Sequence, residues 1–386
     1  MTDFLYDAVV TDATQRVALE IVRSLGRENL KILTVEKQNY SQPPLAALSK
    51  YSSDFFTVTD YKSEEFAGLC AKARTVFPVS TNTIIECCGD VLQKMPEKFL
   101  ISDHSTFKKV NDKYSLGNIA EKAGVAYPET FAVSDQDDLF QAAEHTAFPV
   151  VLKLANDEGL FLPPQQRYAI VDKKEKLLDS FTNLKKFGKK IILQNYIAGV
   201  GVGFSVLYDK CGKYILSFQH QRLREYPLSG GPSTYCKSVY YDIVEKNGRK
   251  LMDFIKWNGP AMVEFKYEPD SGKLVLIEIN PRYWGSLPLA RKAGVNIPLV
   301  QFHKITGKTF EYTTEYRQNV KLKFLASDFI AAIKQIKADK AYFSGLFAYC
   351  SEFFHSKTSF GICEVNDLKP VFYYFTSRLF SGKGAD

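Results

Sequence analysis

The pattern of apolar and polar positions near the start of the chain alternates between strands and a helix. Residues 6–10 form an apolar run typical of a buried strand, and residues 30–35 form a second one. Between them, residues 16–25 carry apolar side chains at helical spacing. Shorter strands are predicted near residues 54–58 and 76–79. Strand, helix and strand in succession predict a βαβ unit and a parallel sheet.

The turn after the first predicted strand lacks a phosphate-binding motif. Residues 11–15 carry the sequence TDATQ, whereas a dinucleotide-binding βαβ unit has G-x-G-x-x-G at this place. The pattern therefore predicts a Rossmann-like parallel sheet and disfavours an ordinary dinucleotide-binding domain.

The middle of the chain predicts antiparallel strands with helices between them, which is an α+β arrangement. Residues 112–123 have a helical pattern that Gly124 closes and Pro128 breaks. The turn sequence EPDSG at residues 268–272 separates two apolar runs and predicts a hairpin. The strands predicted in this region cover residues 148–154, 190–196, 204–209, 213–222, 261–267 and 273–279.

The composition excludes several classes of protein. Of the 386 residues, 45% are hydrophobic and 24% are charged, which is typical of a soluble globular protein of two or three domains. No apolar run reaches the roughly 18 residues of a transmembrane helix, and residues 1–10 lack the basic start of a signal peptide. The net charge of +7 is not gathered in a basic block, so we expect no nucleic-acid partner. A mild positive bias does suit a protein that binds anions.

The seven cysteines indicate a reducing environment. Their number is odd and no C-x-x-C motif occurs. We therefore expect neither a disulfide framework nor a zinc ribbon, and we expect a cytoplasmic location.

The last predicted hairpin carries a candidate metal site. Side chains alternate along a strand, so Glu278 and Asn280 point to one face, and Glu264 on the partner strand can share it. Two carboxylates and an amide oxygen suit Mg²⁺, with Mn²⁺ as an alternative, and Mg²⁺ takes further ligands from a nucleotide triphosphate. Arg282 can hold a phosphoryl or carboxylate group through two hydrogen bonds. The alternative is that the two glutamates lie on a solvated sheet face. This alternative is disfavoured by their apolar neighbours and leaves Asn280 and Arg282 unexplained.

The order of these residues resembles the ATP-grasp ligases. The motif E-x-N-P-R at residues 278–282 follows the strand glutamate Glu264. Earlier in the chain, Lys113 begins a predicted helix and Lys153 closes an apolar strand, as do the two ATP-contacting lysines of that family. The resemblance covers roughly residues 4–300 and is strongest to the predicted carboxylate–amine ligases within this superfamily.

The resemblance implies an ATP-grasp fold that combines α/β and α+β parts. The expected domains are a Rossmann-like parallel-sheet domain at residues 1–108, an ATP-grasp domain at 109–308, and a mainly helical extension at 309–386. Within the ATP-grasp domain, the expected lid covers about 125–195 and the metal-binding half about 196–308.

The resemblance also implies the residues that bind ATP. Lys113 and Lys153 would neutralise triphosphate oxygens. The hinge for the adenine base would consist of Gln194, Asn195, Tyr196 and Ile197, although a glutamate is common where Asn195 stands. The lid loop at residues 156–168 has one glycine and two prolines where the family has a glycine-rich loop. Arg167 is the candidate that would replace the missing backbone contacts to phosphate.

The segments at residues 221–227 and 229–233 resemble a part of the family near the phosphates and the acyl substrate. Arg222 and Arg224 alternate with Leu223, so we expect both guanidinium groups on one strand face, where they would act with Arg282 as catalytic residues. The candidates for substrate binding are His220, Gly230, Gly231 and Ser233. The alternatives are a solvated strand edge for the arginines, a surface turn for the glycines and a structural role for the histidine.

The extension carries an aromatic stripe. Phe343, Phe347, Cys350 and Phe354 share one side of a predicted helix, and three lysines precede them at 334, 337 and 340. The helix can pack on the core, lie on a membrane surface, or dock a carrier protein.

Two classes of function remain open. The first is an Mg-dependent, ATP-dependent carboxylate–amine ligase that works through an acyl phosphate, with small-molecule acid and amine substrates. The second is a non-catalytic nucleotide-binding or membrane-associated module that kept the fold. Among enzymes, a ligase with a thiol acceptor or a carboxykinase-type phosphotransfer is the nearest rival. We also expect residues 11–15 of the first domain to contribute to the acyl or amine pocket.

Overall fold

The computed structural model describes residues 4–38, 43–160, 162–354 and 357–381. Within these residues the strands group into three β-sheets, with helices packed on and between them. The strands are β1 (Tyr6–Val10), β2 (Ile32–Lys37), β3 (Asp54–Val58), β4 (Ala73–Phe77), β5 (Thr130–Val133), β6 (Val150–Leu154), β7 (Tyr168–Val171), β8 (Ile191–Asn195), β9 (Val200–Tyr208), β10 (Tyr214–Glu225), β11 (Ser233–Ser238), β12 (Gly259–Glu268), β13 (Lys273–Asn280), β14 (Lys321–Lys323) and β15 (Thr358–Phe360). The helices are α1 (Arg16–Gly26), α2 (Glu64–Ala71), α3 (Thr81–Cys87), α4 (Asp90–Lys94), α5 (His104–Asn111), α6 (Lys113–Lys122), α7 (Gln136–Glu144), α8 (Leu177–Lys185), α9 (Asp242–Ile255), α10 (Leu287–Ala293), α11 (Ile297–Thr306), α12 (Leu325–Ala338), α13 (Tyr342–Ser351) and α14 (Lys369–Ser381).

The N-terminal sheet is parallel, as the βαβ pattern predicts. Its order is β3-β2-β1-β4, and Ala8 of β1 lies between Ile32 of β2 and Thr75 of β4. The strands read as continuous apolar runs because helices cover both faces of such a sheet. The strand predicted near 76–79 begins earlier, at Ala73.

Helix α1 is buried on its polar side as well as on its apolar side. Glu20 pairs with Arg291 of α10, and Arg23 pairs with Asp367 in the C-terminal segment at 2.8 Å. Arg23 is 1% exposed and also donates to the carbonyl oxygen of Ile362. These contacts fix the C-terminal segment onto the N-terminal sheet.

The second sheet has the antiparallel order β5-β8-β6-β7 and a core of its own. Leu152 of β6 and Leu193 of β8 pack against Leu139 of α7 and Phe181 of α8. This sheet carries Lys153 on β6 and so positions one wall of the site described below.

The third sheet is the largest, with the order β13-β12-β9-β10-β11-β14-β15. The hairpin predicted from the turn at 268–272 is present as β12–β13, and the strands predicted at 204–209 and 213–222 pair as β9–β10. The C-terminal part is helical, as expected, but it also adds β14 and β15 to the sheet edge, which the sequence pattern did not indicate.

The helical region around residue 112 consists of two helices. Asp112 separates α5 from α6, and its side chain accepts a hydrogen bond from the backbone N–H of Ser115 at 2.8 Å. This is the geometry of an N-cap, which satisfies one of the free N–H groups at the start of a helix. Lys113 therefore begins α6, as the sequence predicts.

The C-terminal residues 382–386, the end of the predicted extension, lie outside the described residues. In the part of the chain that the structure describes, no helix combines the length and the apolar character needed to cross a membrane.

Candidate active site

Three oxygen-bearing side chains meet on one face of the β12–β13 hairpin. Glu264 lies directly opposite Glu278, and Met262 opposite Asn280, so the two carboxylates and the amide share a face. The Asn280 Nδ2 donates to Glu264 Oε1 at 3.0 Å and to Glu278 Oε1 at 3.2 Å. The structure thus brings the three predicted metal ligands together, while their role as ligands stays a prediction.

Two cations from distant segments hold these carboxylates. Lys113 Nζ lies 3.4 Å from Glu278 Oε2, and the Arg222 guanidinium pairs with Glu264. Lys113 is placed by its position at the start of α6 and by its backbone N–H, which donates to the carbonyl oxygen of Ala155 at 2.9 Å. The helix start and the end of β6 are therefore joined beside the carboxylate pair.

The two glutamates have opposite pKa shifts. Burial works to raise the pKa of Glu278, but the ammonium groups of Lys113 and Lys153 outweigh it and lower the pKa to about 2. Burial raises the pKa of Glu264, and the negative charge of Glu278 adds to this against the opposing effect of Arg222. Glu278 is therefore the carboxylate that stays charged over the whole physiological range.

Lys153 stands beside this cluster and contacts neither carboxylate, although the charges of Glu278 and Glu264 act on it from a greater distance. Within the described residues, no carboxylate oxygen lies within 4.0 Å of its Nζ. Burial lowers the pKa of Lys153 to about 7, and the charge of Lys113 contributes to the same shift. An anion at this place would restore the charge of the ammonium group.

Arg282 connects the hairpin to helix α3, which begins at Thr81. Its Nε donates to Thr81 Oγ1 at 3.2 Å, its Nη1 to the carbonyl oxygen of Tyr283 at 2.8 Å, and its Nη2 to Asn280 Oδ1 at 3.3 Å. The contact with Thr81 was not predicted. Thr81 lies in a polar run at residues 80–83 that carries no motif, so no sequence signal would have found it.

Arg222 and Arg224 do not share a face, which corrects the expectation from strand alternation. A register shift places Arg222 opposite Cys236 but Arg224 opposite Tyr235. Because the neighbouring residues Tyr235 and Cys236 point to opposite faces, the arginines do so too.

The partners of Arg224 lie in the C-terminal segment. Its Nη1 donates to Asp328 at 2.9 Å and its Nη2 to Glu352 Oε1 at 2.9 Å. The structure therefore places Arg224 apart from the glutamate pair, and its predicted catalytic role stays a prediction. Arg222 lies in the cluster, where its Nη1 also donates to the carbonyl oxygen of Gly231 at 2.9 Å.

His220 is buried under the same sheet face. It is 1% exposed, its ring packs against Gly203, and its Nε2 lies 3.3 Å from Ser286 Oγ. Burial lowers the pKa of His220 to about 3, with a further contribution from the charge of Arg222. The imidazole is thus neutral at physiological pH, and its predicted contact with a substrate stays a prediction.

The predicted substrate loop contacts Arg222 beside the two glutamates, and it also contacts the second sheet. Gly230 has a φ of +137°, a conformation that favours glycine, and its carbonyl oxygen accepts a hydrogen bond from the hydroxyl of Tyr168 on β7. The N–H of Gly231 donates to Glu225 Oε2 at 3.2 Å, and Ser233 begins β11 opposite Glu225. Tyr168 was not among the predicted site residues.

The lid loop contains an ion pair where the family has glycines. Arg167 Nη1 lies 2.8 Å from Asp157 Oδ2, and its Nε donates to the carbonyl oxygen of Leu162 at 2.8 Å. Phe161 in this loop lies outside the described residues. Arg167 is thus bound within its own loop, and its contact with phosphate stays a prediction.

The predicted hinge lies at the end of β8. Gln194 is 2% exposed, and its Nε2 donates to Thr130 Oγ1 at 2.6 Å. Asn195 donates through Nδ2 to Glu129 at 3.3 Å, whereas its Oδ1 is buried without a hydrogen-bond partner among the described residues. Tyr196 is exposed and Ile197 is half-buried. A buried free acceptor at this place fits a ligand that brings an amino group.

The side chains of the hairpin supply too few oxygen ligands to hold Mg²⁺ by themselves, so oxygen atoms of a substrate would have to complete the site. Among the described residues, no group of three or more His, Cys, Asp and Glu side chains is placed to hold a metal ion. A cation here would have Glu264, Glu278, the Asn280 amide and oxygens of a phosphate chain. Mg²⁺ in proteins is commonly bound in this way, by one or two carboxylates together with substrate phosphates.

A family model identifies the same part of the chain. Residues 112–311 match the ATP-binding domain of the carbamoyl-phosphate synthase L chain. The chain belongs to this family of ATP-grasp ligases. The match begins one residue before Lys113 and includes all three oxygen-bearing residues of the hairpin.

Individual relatives of this ATP-grasp chain are distant. The carbamoyl phosphate synthase large chain of Lachnoclostridium phytofermentans is 26% identical over 197 residues, which are 49% of this chain and 18% of that protein. The D-aspartate ligase of Enterococcus faecium is 24% identical over 259 residues, which are 61% of this chain and 62% of that ligase. The chain thus spans less than two thirds of either relative.

Solved structures share the ATP-grasp fold over most of the chain. N5-carboxyaminoimidazole ribonucleotide synthetase in its ADP complex superposes with a TM-score of 0.68 at 16% identity, covering 87% of both chains. Biotin carboxylase from Campylobacter jejuni gives a TM-score of 0.64 at 15% identity, covering 82% of this chain and 74% of that one. The predicted fold is confirmed by this likeness.

Proposed function

We propose that the protein is an Mg-dependent ATP-grasp ligase that joins a carboxylate to an amine through an acyl phosphate. The observation that carries this proposal is the meeting of Glu264, Glu278 and Asn280 on one sheet face, surrounded by Lys113 and further cations. Such a site suits Mg-ATP. The carboxylates attract the metal ion, and the lysine and arginine side chains attract the phosphate oxygens.

The first step we propose is activation of the acid. An oxygen of the substrate carboxylate attacks the γ-phosphorus of ATP, a new P–O bond forms, and ADP leaves. Lys113 and Lys153 hold phosphate oxygens and stabilise the charge that develops on them. Glu264, Glu278 and Asn280 would hold Mg²⁺, which would supply positive charge to the phosphate chain.

The second step we propose is transfer to the amine. The amine nitrogen attacks the acyl carbon, the C–O bond to phosphate breaks, and the nitrogen gives up a proton as the amide forms. Arg282 and Arg222 would orient the acyl phosphate through paired N–H groups. Arg282 is well placed for this because Thr81 and the carbonyl oxygen of Tyr283 already fix its orientation.

The proposed substrates are small-molecule acids and amines. The likeness to D-aspartate ligase makes amino acids, aspartate among them, the first compounds to test on both sides of the reaction. Gly230, Gly231 and Ser233 would line the substrate pocket together with residues 11–15. The cytoplasm remains the proposed location, and a carrier protein remains a partner to be tested.

The test is a hydroxamate assay with the full chain. We would incubate it with Mg-ATP, hydroxylamine and pooled acids, and measure acyl hydroxamate and ADP. Glu278→Gln removes one charge from the carboxylate pair and should lower both products by about 10²-fold or more. Glu268→Gln, at the far end of the same hairpin, is the matched control and should keep full activity.

The outcomes separate the proposed classes of function. Hydroxamate together with ADP from the wild-type chain would support the ligase, and dividing the pool would identify the acid. ADP without hydroxamate would point to phosphotransfer instead. A chain that binds ATP but yields neither product would favour the non-catalytic module, and a chain that does not bind ATP would contradict the proposal.

A further inference from the structure

Helix α13 and the short 3-10 turn after it, Glu352–Phe354, expose most of their aromatic side chains. Phe343 is 95% exposed, Phe347 78% and Phe354 88%, and Leu346 beside them is 56% exposed. We name these four residues the aromatic ridge. Within the described residues of α13, Tyr349 is the ring that packs inward, at 7% exposure. Soluble proteins seldom expose a continuous apolar surface of this kind unless it serves as a contact surface.

The ridge sits on a helix pair that is firmly attached to the third sheet. Asp328 of α12 and Glu352 at the end of α13 both bind Arg224 of β10, and both also pair with Lys323 of β14. Gly345 lies so close to Ile336 that the two helices touch without a gap. The exposed rings are therefore held in place by the fold.

The exposed surface of α12 and of the turn after it is positively charged, because two acidic side chains of this region form ion pairs in the interior. The acidic side chains of Asp328 and Glu352 pair with buried Lys323, while Lys337 and Lys340 are exposed in the chain just before Phe343. Lys334 adds a third cation, whose Nζ also reaches the hydroxyl of Tyr226, and Asp339 is the exposed carboxylate among these residues. Three cations against one exposed carboxylate complement an anionic surface.

We propose that α12 and α13 dock onto an anionic membrane surface, with the aromatic ridge inserted at the level of the lipid headgroups. A surface of this composition binds a membrane interface in two ways. The aromatic side chains bury apolar area among the lipids, and the lysines are attracted to anionic headgroups. A symmetric contact with a second copy would bring together two patches that carry the same positive charge and repel each other. The proposal does not depend on the ligase activity.

The test is flotation of the full chain with vesicles of phosphatidylcholine alone or mixed with phosphatidylglycerol. We expect binding to the mixed vesicles that weakens with added salt, and little binding to the neutral ones. The double variants Phe343→Ser/Phe347→Ser and Lys337→Glu/Lys340→Glu should each reduce partitioning at least about tenfold. Phe254→Ser, which replaces a 49% exposed ring on α9, and Lys185→Glu/Lys186→Glu on α8 are the matched controls and should keep binding.

Three results would overturn the proposal. The first is a wild-type chain that does not float with the anionic vesicles. The second is that both double variants, Phe343→Ser/Phe347→Ser and Lys337→Glu/Lys340→Glu, still bind the vesicles, which would place the lipid contact elsewhere. The third is a concentration-dependent dimer that Phe343→Ser/Phe347→Ser abolishes in the absence of vesicle binding, which would assign the ridge to a second copy. An unchanged melting temperature of the variants shows that they fold.

Discussion

Two strand lysines, Lys153 and Lys323, show how differently the molecule treats a charge in its interior. Lys323 on β14 is fully buried, and its Nζ lies 3.4 Å from Asp328 and 2.5 Å from Glu352. Lys153 on β6 has no carboxylate within 4.0 Å among the described residues, and its pKa is lowered to about 7.

The difference separates a structural ion cluster from a binding site. Around Lys323, two carboxylates balance that lysine and Arg224, so the cluster is complete by itself. A buried cation without a partner costs free energy, and a fold keeps one where a ligand supplies the missing charge. For Lys153, in a family of ATP-binding domains, that ligand would be the phosphate chain of ATP.

Replacing Lys323 should have the largest effect on stability. Lys323→Met leaves Asp328 and Glu352 to Arg224 alone, and we expect the free energy of unfolding to fall by about 3–5 kcal/mol. The measurement is chemical denaturation of the variant beside Lys321→Met, a control on the same strand that should change little. If the variant kept wild-type stability, the cluster would not hold the C-terminal segment in place.

Replacing Lys153 should affect turnover with ATP and leave the stability of the fold nearly unchanged. Lys153→Met removes a desolvated charge that no carboxylate contacts, so stability should change little, whereas kcat/KM for ATP should fall by about 10²–10³-fold. Steady-state ADP release and denaturation on the same samples measure both effects, with Lys173→Met of the lid as control. Loss of stability without loss of turnover would break the comparison between the two lysines.

The smallest expected effect concerns pH. Because the pKa of Lys153 is about 7, the lysine is largely neutral at pH 8 in the free protein and must take up a proton when phosphates bind. Its charged fraction falls as pH rises above 7, so the affinity for ATP should weaken up to about tenfold between pH 6.5 and pH 8. Titration calorimetry in buffers of different ionisation enthalpy would detect the proton uptake.

The control for the pH effect is Lys153→Arg, whose guanidinium stays charged throughout. It should bind ATP without proton uptake. An equal uptake in wild type and variant would assign the proton to another group, such as the phosphate itself, and would remove Lys153 from the proposed contact.

Several parts of the fold follow from local patterns. The N-terminal βαβ unit and the β12–β13 hairpin were predicted because the periodicity of apolar residues and the turn sequence at 268–272 specify them locally. The shared face of Glu278 and Asn280 follows from the alternation of side chains along one strand. Glu264 joins them through a register shift between Glu264 and Phe265, which places Glu264 opposite Glu278. The start of α6 at Lys113 likewise follows from the cap at Asp112.

Other parts of the site could not be predicted in this way. Arg222 and Arg224 were expected on one face, but a one-residue register shift turned Arg224 towards the C-terminal segment. Such a shift depends on the partner strand, which the sequence of one strand does not contain. The contact of Tyr168 with Gly230 joins two sheets and is equally non-local.

The sequence by itself therefore determined that Glu278 and Asn280 share one face of their strand, because strand geometry repeats every two residues. The register shift that brings Glu264 to the same face was decided by the folded hairpin. Only the tertiary structure decided which distant groups meet them: Lys113 beside Glu278, Thr81 beside Arg282, and Asp328 with Glu352 around Arg224. It also decided that Phe343 and Phe347 face outward, since a helical stripe has the same spacing whether it packs inward or not. Contacts of this kind depend on how separate elements pack, and that packing is set by the whole chain at once.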